Sequence, residues 1–517
     1  MTRSVLERSV PDPVLNRITA RPPEPGHRIT FRGAGPTETY PLEELYDLAG
    51  RLALHLRRLG LRRGDRIGIL ARNTLEWVLL DLAALRLGVL TAGFEAGKFT
   101  ADRSLLDRYG LALLFSEEES PDAGVLSLAD VRRMAFDDIP GELPAVTYAP
   151  DDETTLKFTS GSTGSPKGLA ATAGSIDSSL HAVQEMFAHG RDDELFVFLP
   201  LSLLQQRYWV YSALAFGHDL TISSYASALP ALRRTRPTVV MGVPAFYELA
   251  RRHIEARVAD VTGQERPEAL RRAARRLFGE RVRYLWTGSA PADLATLRFF
   301  RSCGLPVYEG YGMNETCIVT KNHPGAAREG SVGRVVTGKT VLLDEHGNIS
   351  VRSDFPVNHR YSYAEPGASE RVFAPDGTVR TGDVGYLDAD GFLFITGRAD
   401  DVIALDNGRN VAVRPIEDRL RQSPAIAECL VFNAGGGELV AVVSPAGSGA
   451  DEATITAHLR RSNARAARHE RVSRAVLAPE PFSLGNGLLS SQHKPLRQKI
   501  RAAFAAELAD RTSGVTA

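Results

Sequence analysis

Neither sign of charge is in excess: the 517-residue chain carries 62 Lys and Arg against 62 Asp and Glu. A balanced chain gives no electrostatic basis for a polyanion as its main partner, so nucleic acid is not expected. Cysteine is scarce. Cys303, Cys317 and Cys429 lie far apart with no CxxC or Cys/His spacing, which argues against a disulfide framework or a structural zinc site and fits a reducing compartment. Long apolar runs are lacking too. No stretch reaches membrane-spanning length, and the opening MTRSVLERSVPDPVLNRI is charged and broken by prolines where a signal peptide needs an unbroken apolar segment. The expectation is a cytoplasmic protein without a transmembrane segment.

What the chain does have is length and apolar content, 43% hydrophobic, enough for at least two cores. LEELYDLAGRLALHLRRLG (Leu42 to Gly60) and EWVLLDLAALRLG (Glu76 to Gly88) read as helices stopped by glycine, with RIGIL (Arg66 to Leu70) between them as a buried strand. The alternation continues through LFVFLP, a helix near Trp209 to Ala215, DLTIS, TVVMGVP and a helix from Ala245. Such βα units predict an α/β protein with largely parallel sheets. The arginine- and alanine-rich stretch from Arg251 to Arg281 has helical spacing and reads as a solvated face. From Gly330 the pattern turns to short strands and turns, a β-rich subdomain. DVIALDNGRNVAV then predicts a hairpin, and RPIEDRLRQ, AECLVF and ELVAVVS add a helix and two strands of a small α+β domain. The domains expected are 1–397, a hinge at 398–402, and a small mobile C-terminal domain at 403–517.

TSGSTGSPKG, Thr159 to Gly168, concentrates three glycines, five hydroxyls and one lysine in ten residues. Consecutive backbone N–H groups in such a loop can turn toward one anion while the lysine adds charge, so it predicts a phosphate-binding loop between the strand TTLKF and a helix beginning near Ser175. It is no Walker loop, because Pro166 precedes Lys167 and Gly168 follows it. GRVVTGKT, Gly333 to Thr340, does match that pattern, but the following VLLDEHGNISV reads as strand, turn, strand where a P-loop NTPase needs a helix, and a chance match is expected.

Four further segments follow the loop in order: YEGYGMNET (Tyr308 to Thr316), RTGDVGYLDADG (Arg380 to Gly391), ITGRADDVI (Ile395 to Ile403) and NGLLSSQHKPLRQKI (Asn486 to Ile500). Together the five resemble the adenylate-forming enzymes, the superfamily of acyl-CoA synthetases, nonribosomal peptide adenylation domains and firefly luciferase. LPLSLLQQR (Leu199 to Arg207), VPAFYE (Val243 to Glu248) and FFRSCGLPVYEGYG (Phe299 to Gly312) resemble the long-chain fatty acyl-CoA synthetase branch most.

The resemblance implies an AMP-forming ligase that activates an acid with ATP and Mg²⁺ and passes the acyl group to CoA. Thr159, Ser160, Gly161, Ser162, Thr163, Gly164 and Lys167 would embrace the β and γ phosphates. Gly288, Ser289, Ala290 and Pro291 would run along the adenine, Tyr311 would stack on it, and Gly310 and Gly312 would allow close approach. Asn314 stands where the YGxTE motif has threonine. Glu315 matches the magnesium ligand, Asp383 would accept the ribose hydroxyls beside Arg398, and Asp400 matches the hinge. Lys494 would stabilise charge building at the α-phosphate, a catalytic role shared with Lys167 and Arg207.

The acid itself stays open. Leu203 and Gln206 replace the histidine and glutamate usual in the long-chain branch, the segment between VPAFYE and TGSAP is short, and TAGFEAGKF lacks the usual proline-and-threonine run. A fatty acid is therefore one candidate among smaller or specialised acids. Transfer to an amine or a carrier protein, including activation of nitrite for diazotisation, is the alternative to CoA, and a binding protein with a degenerate site is a third reading. The intact Lys167, Glu315, Asp383, Arg398 and Lys494 speak against the last.

Overall fold

Thr74 and Gly88 bracket a helix, Leu75–Leu87, by complementary means: the Thr74 side chain accepts from Trp77 N, and Gly88 closes the end at φ 71°. Nearly every side chain of this helix is buried, the pattern of a helix enclosed on all sides. Its neighbour Leu42–Arg58 instead buries one stripe, including Leu42, Leu45, Leu48, Ala49, Leu52 and Leu56. The computed structural model from which these features are read describes residues 13–159, 167–399, 402–404, 410–435, 438–447, 451–490, 495–510 and 514–516.

Two compact units are distinguished: Met1–Val341 with Val351–Arg380, and Leu342–Ser350 with Thr381–Ala517. The first holds two large sheets. One is six-stranded, in the order Val125–Ser127, Leu113–Ser116, Arg66–Leu70, Leu90–Phe94, Glu153–Thr159, Lys167–Thr172. The other, nine-stranded, places Cys317–Lys321, Val307–Met313, Tyr284–Thr287, Val239–Met241, Glu194–Val197 and Asp219–Ile222 side by side. Pairing is parallel from Asp219–Ile222 to Val307–Met313, as βα units require. Helices Leu42–Arg58, Leu75–Leu87, Ala173–Phe187 and Leu204–Phe216 supply much of the main apolar cluster.

The predicted elements from Leu42 to Ala245 are present. The arginine-rich helix Arg266–Phe278 buries Ala273, Ala274, Leu277 and Phe278 and leaves Arg271, Arg272 and Arg276 exposed, the solvated face expected. The helix expected near Ser175 begins at Ala173, and a strand that was not expected, Lys167–Thr172, precedes it, antiparallel to Glu153–Thr159 with Thr159 opposite Lys167. The small apolar run GLAAT fills a narrow, fully buried lane that periodicity cannot assign.

The second unit contains a four-stranded sheet ordered Ile426–Asn433, Leu439–Pro445, Val472–Leu477, Val515–Thr516, with helices Arg414–Leu420 and Glu452–Ala464. The hairpin predicted around Asn407 appears as antiparallel Val402–Ala404 and Asn410–Ala412. In the same unit, strand Leu393–Arg398 pairs antiparallel with Val379–Leu387. Among the described residues no helix is long and apolar enough to cross a membrane.

Candidate active site

Lys167 opens the strand that follows the glycine-rich stretch, and its Nζ lies 5.3 Å from the ring centroid of Tyr361. That ring's hydroxyl donates to Glu315 Oε1 at 2.6 Å. Burial, with the Glu315 carboxylate beside it, pushes the Tyr361 phenol up, so it remains a donor. The strand and the tyrosine segment are stitched together: Gly168 N donates to Tyr363 O at 2.7 Å and Ser362 N donates to Gly168 O at 2.8 Å. A Cβ on Gly168 would meet the Tyr363 ring at 2.8 Å, which is why glycine follows the lysine. The loop lysine, a tyrosine and the expected metal carboxylate thus form one assembly. Nothing in NHRYSYAEP announces Tyr361 as part of it.

Glu315 fits a hard cation. Oε1 is occupied by Tyr361, while Oε2 makes no hydrogen bond or ion pair with the described residues. A single carboxylate oxygen suits Mg²⁺, which takes one or two carboxylates plus phosphate oxygens and water. The turn carrying Glu315 is fixed by Met313 N donating to Thr316 Oγ1 at 3.2 Å, and Asn314 Nδ2 points to Phe158 O at 3.5 Å, beside the start of the glycine-rich stretch.

Beneath this turn, Cys317 Sγ lies 3.2 Å from Tyr208 OH and 3.7 Å from Lys157 Nζ. Burial alone would raise the thiol, but Lys157 and Lys339 outweigh it and hold it below its ordinary range. Lys339 is the lysine of the Walker-like GRVVTGKT. It sits in a strand, Lys339–Leu343, donating to Thr316 O and Ser353 Oγ at 2.9 Å each, and burial pulls its ammonium down to about 8. No helix follows, so the match is coincidental, as expected.

Strand Tyr284–Thr287 ends in a turn where Ser289 takes φ 70°, a left-handed value unusual outside glycine. A Cβ on Gly288 would approach Gly310 O to 3.3 Å, and one on Gly312 would collide with Cys317 O at 2.1 Å, next to a bulge between Tyr311 and Gly312. Glycine is required there because two backbones touch. Gly288, Ser289, Gly310, Tyr311 and Gly312 line one cavity of about 60 Å³, and Gln206, Tyr208, Trp209 and Trp286 form part of its walls. Ala290 and Pro291 continue the turn beyond these lining residues.

In the second unit Asp383 stands directly opposite Arg398 in the ladder, and Arg398 Nη1 donates to Asp383 Oδ1 at 3.2 Å. Fifteen positions apart in sequence, the two expected ribose residues are cross-strand partners.

Arg207 is placed differently from the catalytic role expected. It is 1% exposed, donates to Asp81 Oδ1 and Thr91 Oγ1 at 3.0 Å each, and lies 5.2 Å from the Trp77 ring centroid. Tyr211 OH donates to the other Asp81 oxygen at 2.5 Å. The helix turns about 100° per residue, so Gln206 and Trp209 face the cavity while Arg207 enters the core. Lys494, Asp400, and Ser160, Gly161, Ser162, Thr163 and Gly164 lie outside the described residues.

A βα-built unit with glycine-lined backbone crossings, a lysine and a carboxylate joined through tyrosine, and a further unit carrying an Asp/Arg pair define an adenylate-forming ligase. The chain belongs to the AMP-binding enzyme family: the AMP-binding enzyme model matches residues 20–354, and the model of the AMP-binding enzyme C-terminal domain matches 400–511. It is similar to the long-chain-fatty-acid–CoA ligase FadD15 of Mycobacterium tuberculosis, 28% identical over 88% of this chain and 89% of the relative. A feruloyl-CoA synthase of an Amycolatopsis species is 29% identical over 84% of this chain and 89% of its own. Among solved structures, O-succinylbenzoate coenzyme A synthetase of Bacillus subtilis in complex with ATP and magnesium ion has a TM-score of 0.73 at 23% identity, covering 92% of this chain and 97% of that one. The α/β fold expected from the sequence and the family resemblance both stand.

Proposed function

We propose that the protein activates a carboxylic acid with ATP and Mg²⁺ and transfers the acyl group to CoA. A carboxylate oxygen attacks the α-phosphorus, the bond to the β-phosphate oxygen breaks, and pyrophosphate leaves. The CoA thiolate then attacks the acyl carbon and AMP departs. The observation that carries this reading is the Lys167–Tyr361–Glu315 assembly, which sets a phosphate-binding cation and a metal-binding carboxylate on one support.

Lys167 with Thr159 to Gly164 grips the β and γ phosphates, and Asn314 serves as a further donor. Gly288, Ser289, Gly310, Tyr311 and Gly312 receive the adenine, and Asp383 with Arg398 takes the ribose. Bound at Glu315, Mg²⁺ would neutralise phosphate charge. Lys494 stabilises the charge that builds on the α-phosphate, and Asp400 serves as the hinge between the two half-reactions, at the start of the C-terminal domain. The test is acid-dependent pyrophosphate exchange: Lys494→Ala loses on the order of 10²–10³ of it while still binding ATP. Near-normal exchange by that variant would remove the assignment.

Leu203 and Gln206, standing where the long-chain branch usually has histidine and glutamate, favour a second reading, a compact acid such as nitrite with an amine as acceptor. A nitrite oxygen would attack the α-phosphorus, and the amine nitrogen would then bond to the nitrite nitrogen as AMP leaves. Pyrophosphate release with nitrite and an arylamine, in the absence of CoA, distinguishes the two.

A further inference from the structure

A lysine lies in the core where folding has no use for one. Lys157, in strand Glu153–Thr159, is 4% exposed, and its one hydrogen-bond partner among the described residues is a sulfur, Cys317 Sγ, at 3.7 Å. An ammonium taken out of water costs free energy that a single long contact to sulfur does not offset, and an apolar side chain of the same length would pack there without that cost. A buried charge that folding does not require points to a role in the site.

The residue it touches is unusual in its own right. Cys317 stands two positions after Glu315 and takes φ 56°, a left-handed value that residues with a Cβ rarely adopt. Its sulfur is clasped from two elements, by Lys157 on the strand and by Tyr208 OH at 3.2 Å on helix Leu204–Phe216. A third element holds the residue before it, where Lys339 Nζ donates to Thr316 O and to Ser353 Oγ at 2.9 Å each. Sulfur accepts from the ammonium as thiol or thiolate alike.

The same strand reaches the other flank of Glu315. Phe158 O, one residue on from Lys157, faces Asn314 Nδ2 at 3.5 Å. Successive side chains of a strand point to opposite faces, so Lys157 reaches the sulfur while the Phe158 ring stacks on Phe94 at 4.9 Å between centroids. Two consecutive residues of the strand that leads into the glycine-rich stretch therefore hold the metal carboxylate's turn on both sides of it in sequence.

We propose that Lys157 and Cys317 are positioning residues: their buried contact keeps the left-handed turn in the conformation that presents Glu315 to the cation, and ties that turn to the strand leading into the phosphate-binding stretch. The proposal deepens the acid-activation reading, on which it rests through Glu315 as the Mg²⁺ ligand.

The experiment uses the full chain. Lys157→Met keeps the length of the side chain and removes the charge; Cys317→Ala removes the acceptor, and Cys317→Ser supplies another. Mn²⁺ affinity in the presence of a non-hydrolysable ATP analogue, read by electron paramagnetic resonance, should fall about tenfold in Lys157→Met and in Cys317→Ala, and no further in the double variant, because the two act through one contact. Cys317→Ser should recover most of the loss. Affinity for the analogue without metal should be retained. The urea midpoint of Lys157→Met should equal or exceed that of the wild type, since a buried charge is removed and the sulfur left behind can stay neutral. Metal affinity unchanged in both Lys157→Met and Cys317→Ala overturns the proposal, and so does a loss that only tracks a lowered urea midpoint, which would make the pair a packing contact. None of these readouts needs an acid. If the wild type binds Mn²⁺ and nucleotide but no acid supports pyrophosphate release, the acid-activation reading fails while the positioning contact is still decided by the variants; if the wild type binds no Mn²⁺ with the analogue, both fail.

Discussion

The Tyr361 hydroxyl donates to Glu315 Oε1 across 2.6 Å, and neither residue is more than 7% exposed. A partner held this way fixes which oxygen remains for a cation, and loss of such supporting bonds typically weakens metal binding 10–100-fold. Tyr361→Phe keeps the ring under Lys167 and removes only the hydroxyl. Mn²⁺ bound with a non-hydrolysable ATP analogue, followed by electron paramagnetic resonance, should weaken about tenfold with little change in melting temperature. Unchanged affinity would show that Glu315 orients itself.

Asp383 and Arg398 hold each other across the ladder, so each variant disturbs both. Asp383→Asn preserves size and removes charge; a lost hydrogen bond to a charged group is worth about 1.5–3 kcal/mol, so KM for ATP should rise by roughly ten- to a hundredfold. The acid KM should stay near its original value, and a rise confined to the acid would move Asp383 out of the nucleotide site.

Arg207 makes a different prediction from the one its motif position implies. Removing one partner of a buried ion pair costs about 3–5 kcal/mol because the other charge is stranded. Arg207→Leu should therefore lose that much in urea unfolding, and pairing it with Asp81→Leu should recover part of the loss. Wild-type stability with abolished exchange would restore a catalytic role.

His218 is fully buried, with Nε2 at 2.9 Å from Ser212 Oγ and Nδ1 at 3.0 Å from Asp219 O. Desolvation lowers its pKa to about 4, so the folded state binds fewer protons than the unfolded chain, where histidine titrates near 6.5. The stabilisation is complete above about pH 6.5 and is lost as pH falls toward 4, on the order of 3 kcal/mol in all. His218→Gln should flatten this part of the unfolding profile; an identical profile would assign the acid sensitivity elsewhere.

The βα rhythm was legible because enclosed helices and strands leave strong signatures: Leu75–Leu87 carries its stop at Gly88, and the Walker-like segment betrays itself by the strand-forming residues after it. The ordered motifs likewise pointed to Asp383 and Arg398 before their cross-strand pairing was known. Three features were not legible. GLAAT is too short and too uniform to distinguish strand from helix. Arg207 and Gln206 are adjacent in one motif, and only the helix's rotation in its packed setting decides which enters the core. Tyr361 acts through a tertiary contact 46 positions from Glu315, for which no local spacing exists.

The antiparallel ladder from Thr159 opposite Lys167 down to Glu153 opposite Thr172 anchors both ends of the glycine-rich stretch in one sheet. A backbone change at Lys167 is therefore a change to the sheet as well, because the residue that opens the strand is itself a rung paired with Thr159.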